Sequence, residues 1–112
     1  MSETVVIFRK DRTGRKDCFA LFPELPSDRH GILCTAYSRL GGHCSADYDR
    51  CIGGSDPAAA DEYAELFEEL ERRGYVLSVR QRATPEMHER RFRLAAERRC
   101  RSLQRQLQGA RT

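Results

Sequence analysis

The chain has no tryptophan, and the longest apolar run near its start, Val5 to Phe8, spans four residues. A run that short serves neither as an export signal nor as a membrane span, so a cytoplasmic protein with no membrane partner is expected. Phosphate-binding signatures are missing too: Gly41-Gly42 and Gly53-Gly54 fit neither a P-loop nor a dinucleotide fingerprint. A zinc-protease helix is excluded, because after His88-Glu89 the place of the second histidine is held by Phe92. There are no internal repeats and no carboxylate pair in a setting that would raise a pKa. With these patterns absent, a non-enzymatic role is the expectation.

What the 112 residues do contain is charge and thiol. The length allows one domain, which buries roughly two-thirds of its unfolded surface. Five cysteines without an export signal, an odd number, argue for reduced thiols rather than a disulfide framework. The net charge of +3 hides an asymmetry: residues 79–112 carry ten Arg against three Glu, and residues 1–78 are net acidic. Such a split directs the C-terminal segment towards an acidic partner, which includes nucleic acid, an acidic protein, or the domain itself.

Local signals predict an α+β domain. Thr4–Arg9 is β-branched and aromatic and predicts a strand, Asp11–Lys16 with Gly14 a turn, and Asp17–Phe22 a second strand that Pro23 to Pro26 interrupts. Gly31–Tyr37 predicts a third. The Gly-rich stretch Ser38–Ser55 has no clear period, though it is long enough to hide a short strand or a helical turn. Asp56 and Pro57 read as the N-cap and first position of a helix. Ala59, Tyr63, Leu66, Phe67 and Leu70 supply its apolar face, and Gly74 stops it. A fourth strand follows at Tyr75–Val79. Thr84-Pro85-Glu86 then opens a last helix running to about Gln108. The order β-β-β-α-β-α implies a small, mostly antiparallel sheet. Residues 1–82 form a compact core, and residues 83–112 add a long amphipathic basic helix and tail to the same domain.

Several pieces carry a resemblance: VVIFRK from Val5, ALFPELP from Ala20, the strand end at Tyr37, Gly42-His43, Ala46-Asp47-Tyr48, and DEYAELFEELERRGY from Asp61. Together they resemble a group of small uncharacterised proteins of bacterial genomes and mobile elements, over about residues 4 to 80. Gly41-Gly42-His43 stands where that group has Gly-Gln-His. The resemblance implies a compact single module with a loop of interest around His43, Asp47 and Tyr48. It also brings the expectation of a module that binds and blocks a larger host nucleic-acid machine, such as a defence complex.

Candidate sites fall in two places. On the last helix, at 100° per residue, Phe92, Ala96, Cys100, Leu103 and Leu107 share an arc of about 80°, a seam fit for docking on the domain's own sheet, for a protein partner or for a homodimer. Arg90, Arg91, Arg98, Arg101 and Arg105 lie within about 100° nearly opposite, where guanidinium groups suit either an acidic protein or a nucleic-acid backbone. In the Gly-rich stretch, Cys34, His43, Cys44 and Cys51 form a possible zinc set. No tight Cys-x-x-Cys knuckle supports it, and core filling is the simpler reading. A His43–Cys44 dyad meets the objection that adjacent residues of an extended segment point apart.

Overall fold

The computed structural model describes residues 3–12, 17–39 and 41–110. Strands β1 (Thr4–Asp11) and β2 (Cys18–Pro26) form an antiparallel pair in which Ile7 faces Leu21 and Phe8 faces Ala20. Residues 13–16 of the expected turn, Gly14 among them, lie outside the described residues. The sheet continues through β3 (Cys34–Ser38) to an edge strand β4 (Gly42–Ala46). On its other side β1 is bordered by two short strands end to end: antiparallel β5 (Ser55–Pro57) beside Arg9–Asp11, and parallel β6 (Leu77–Val79) beside Thr4–Val6. The result is α+β, with a mostly antiparallel sheet of six strands in the order β4-β3-β2-β1-β5 and β6 sharing the β1 edge.

Both faces of this sheet are covered, which is why β1 reads as an unbroken apolar run rather than an alternating one. On one face Val6, Phe8, Ala20, Phe22 and Tyr37 pack under helix α2 (Ala60–Arg72) through its Leu66 and Leu70. Stacking of Phe8 on Tyr63 at 4.2 Å between centroids adds to that layer. On the other face Ile7, Leu21, Cys34, Ala36 and Ala46 meet Tyr48, Cys51 and Ile52 of helix α1 (Tyr48–Gly53). Helix α3 (Pro85–Ala110) lies against β2 and then runs on past the sheet.

Three local departures from the sequence expectation have physical causes. β2 passes through Pro23 to Pro26 because its pairing with β3 jumps there, from Phe22↔Thr35 to Pro26↔Cys34, so the missing proline N–H falls in an irregular stretch of the ladder. Asp56 and Pro57 belong to β5 instead of opening α2: the Asp56 carboxylate takes Arg12 at 3.0 Å, and Glu62 accepts from the Ala59 N–H at 2.9 Å to close the helix start. Ser38–Ser55 holds β4, α1 and β5, with Asp47 capping α1 by accepting from the Arg50 N–H at 3.3 Å. The helix stop at Gly74, with φ +102°, and the Thr84 cap, which accepts from the Met87 N–H, are as the sequence predicts. Among the described residues no helix is long and apolar enough to cross a membrane.

Candidate partner-binding surface

Helix α3 is two different objects along its length. Its first half is docked. Gly31 sits against it with φ +75°, so close that a Cβ there would lie 3.0 Å from the Ala95 Cβ and 3.1 Å from the Arg91 carbonyl oxygen. This small-on-small contact draws the helix close enough for Arg91 to work inside the fold. Only 4% exposed, Arg91 donates from Nε to the Gly31 carbonyl and from Nη1 to the Pro23 carbonyl, both at 2.7 Å. The same Nη1 lies 2.7 Å from His88 Nδ1, which accepts from it because a guanidinium has only donors. Burial, and then the Arg91 charge, hold the His88 imidazole below its usual pKa, with Asp49 opposing.

The docked face is not the one the apolar pattern selects. His88, Arg91 and Ala95 lie about 110° round the helix from the Phe92–Leu107 stripe at 100° per residue. Arg91 therefore leaves the set of surface arginines: its guanidinium holds α3 to the sheet. Further along, Arg98 donates to the Pro26 carbonyl at 3.3 Å and Arg99 to the Arg29 carbonyl at 2.9 Å. Arg90 makes one long pair, 3.8 Å to Glu24. The sequence carries only part of this signal: His88, Arg91 and Ala95 recur at helical spacing, but the glycine that faces them is placed by the fold. A hydrophobicity count gives such residues no weight.

The second half is exposed. Every residue from Arg101 to Gly109 is exposed, and so is Cys100. Leu103 and Leu107 are 57% and 58% exposed, and Phe92, at the start of the same stripe, is 46% exposed. Ala96 is half-buried. Arg101 and Arg105 have no ion pair among the described residues. Residues 98–109 contain four Arg and no acid. The arm thus presents an apolar stripe roughly 22 Å long from Phe92 to Leu107, backed on its far side by unbalanced positive charge.

The Gly-rich stretch divides by face. His43 stands on the α2 side, 4.9 Å from the Tyr37 ring, with Nε2 2.7 Å from the Tyr75 hydroxyl. Its neighbour Cys44, paired with Ala36, points to the opposite side, where Cys34 and Cys51 lie in and against the second core cluster. Tyr48 is on that side too: its hydroxyl accepts from the Ala83 N–H at 2.8 Å, and its ring meets His88 edge-on. The sheet therefore separates His43 from the cysteines of the candidate zinc set and from Asp47 and Tyr48. Among the described residues no three His, Cys, Asp or Glu side chains are grouped to hold a metal.

The thiols differ sharply in environment. Cys34 is fully buried, and burial, partly offset by Arg91, pushes its pKa up to about 11. Burial, and then Asp47, also raises Cys51, whereas Cys44 and Cys100 are exposed. Since the thiolate is the reactive form, native protein treated with a thiol alkylator should be modified first at Cys44 and Cys100. Cys34 should react only on unfolding. Peptide mass spectrometry over a time course checks this, and modification of Cys34 as fast as Cys44 would contradict the packing described. Comparison of the chain with protein-family models, with curated proteins and with solved structures found no match.

Proposed function

We propose that the protein is a non-enzymatic interaction module that inserts the exposed arm of α3 into an apolar groove of an acidic partner protein. One observation carries this reading: Leu103 and Leu107 stand more than half exposed on a helix that the rest of the fold does not cover. Burying a leucine on a partner gives about 1.5–3 kcal/mol, so the stripe is the arm's main store of binding energy. Arg101 and Arg105 lie nearly opposite the stripe, and with no acid in residues 98–109 the positive charge of the arm favours an acidic partner and fast association. Helix-in-groove docking uses this arrangement of apolar anchors at i and i+4. A nucleic-acid backbone would engage the arginines but leave both leucines in water. Blocking a larger nucleic-acid machine is the most concrete form of the role, supported by the resemblance of residues 4 to 80 to small mobile-element proteins.

The test is photo-crosslinking from the exposed position of Gln104, next to the stripe, in the native host. The expected result is a discrete adduct with an acidic protein, lost in Leu103→Asp/Leu107→Asp and weakened about tenfold in Arg101→Glu/Arg105→Glu. All four side chains are exposed, so these variants should fold as the wild type does. An adduct between two copies, with a mass that rises with concentration and collapses in Leu103→Asp, would make the partner a second copy of this chain. Salt-sensitive binding of labelled duplex or single strands, lost in Arg98→Glu/Arg101→Glu/Arg105→Glu but kept in the leucine variant, would replace this reading with phosphate-backbone binding.

A further inference from the structure

Arg9 closes the apolar run of β1, yet its side chain is only 7% exposed. Its Nε donates to Ser55 Oγ at 2.9 Å, and its Nη2 donates to the carbonyls of Ile52 at 3.1 Å and Ser55 at 2.6 Å. All of these acceptors are neutral. Among the described residues no carboxylate lies within ion-pair distance of Arg9, and Nη1 has no acceptor. Deeply placed cations normally carry a counter-ion, because hydrogen bonds to neutral oxygens replace lost water without cancelling the charge. Arg9 therefore leaves a positive potential in the space beside it.

That space is a cavity of about 440 Å³ between β1, the end of α1, β5 and the segment leading into α3. Two further arginines, Arg12 and Arg82, line it with Arg9. Its lone acid, Asp56, is engaged by Arg12 at 3.0 Å. Arg82 is exposed at the rim and has no ion pair among the described residues. Tyr48 adds a donor: its hydroxyl oxygen already accepts from the Ala83 N–H, which leaves its own proton free. Ile52, Pro57 and Ala83 supply apolar wall.

We infer that this cavity binds a phosphate-bearing small molecule. The phosphate sits between Arg9 and Arg82 with the Tyr48 hydroxyl donating to it, and the organic part lies against Ile52, Pro57 and Ala83. Guanidinium groups are the natural partners of phosphate oxygens because they present paired donors and stay charged. The volume is within the range of small-ligand pockets, about 300–1,000 Å³, and exceeds what an inorganic ion fills. The site is separate from the α3 arm, so its success or failure does not bear on partner docking.

Calorimetric titration of the full chain at constant ionic strength tests this, with inorganic phosphate and adenosine monophosphate as probes and chloride as the blank. The expected result is saturable binding of both, with the nucleotide tighter by about tenfold or more because the apolar wall is then used. Equal affinities would assign the site to the free anion, the same phosphate recognition without the organic contact. Arg82→Glu, at an exposed position, should keep the fold and weaken both ligands by at least about tenfold, while Arg72→Ala, exposed on α2, changes neither. Folded wild type that takes up neither probe, or an Arg82→Glu variant that binds as the wild type does, overturns the inference.

Discussion

Arg91→Ala should cost about 3–5 kcal/mol of folding stability, the largest loss at any arginine of α3, because it strips buried acceptors of a charged donor. The substitution leaves the Gly31 and Pro23 carbonyls and His88 Nδ1 without the group they share, and opens a cavity where the side chain stood. For a domain of this size that is a fall in Tm of about 15–25 °C, readable by calorimetry. Arg91→Lys should recover only part of it, since an ammonium point charge does not reproduce a planar fork that reaches two carbonyls at once. Arg105→Ala, exposed on the same helix, should leave Tm unchanged within error. Equal and small effects at the two positions would mean that α3 is not held as described.

That contrast between two arginines of one predicted patch marks where sequence reading stops. Arg91 and Arg105 are alike in composition and nearly alike in helical phase, and only the position of Gly31 sets one inside the fold. A pattern method assigns the buried face to Phe92, Ala96, Cys100, Leu103 and Leu107 because it counts apolar side chains. Here the docking energy comes from hydrogen bonds to carbonyls and from close backbone approach, which no hydropathy scale records. The caps fared better because they are local chemistry. Thr84 and Gly74 act within one turn of their own positions, so their roles were legible. Asp56-Pro57 has the same local look, but pairing with Lys10 and Arg9 across more than forty residues claims it for β5. Strand β4 was hidden for another reason: Gly42, His43, Cys44 and Ser45 form an edge strand with little burial, so no alternation marks it. Of the candidate sites, the free arginines and leucines of the arm were visible in the sequence. The Arg9 cavity had only one cue, a charged residue ending an apolar strand.

Gly31→Ala should destabilise the protein by about 2–4 kcal/mol through two effects that a double-mutant cycle can separate. The first is backbone strain, since Gly31 holds φ +75°, a conformation that an alanine adopts only at a cost. The second is overlap with the helix: the new methyl would lie 3.0 Å from the Ala95 Cβ, 3.1 Å from the Arg91 carbonyl oxygen and 3.3 Å from the Phe92 Cα. Ala95→Gly removes the first of these contacts, at a cost of about 1 kcal/mol for glycine inside a helix. In the Gly31→Ala background it should therefore cost less than it does alone, a coupling of about 0.5–1.5 kcal/mol between the two positions. Pushing α3 outwards also lengthens the Arg91 bond to the Gly31 carbonyl, so Gly31→Ala and Arg91→Ala should be markedly less than additive. Strict additivity of either pair, measured by chemical denaturation, would show that strain alone penalises the alanine. It would also show that the close approach of Gly31 to Ala95 does not hold the docked half of the helix, the half that leaves the arm free to project.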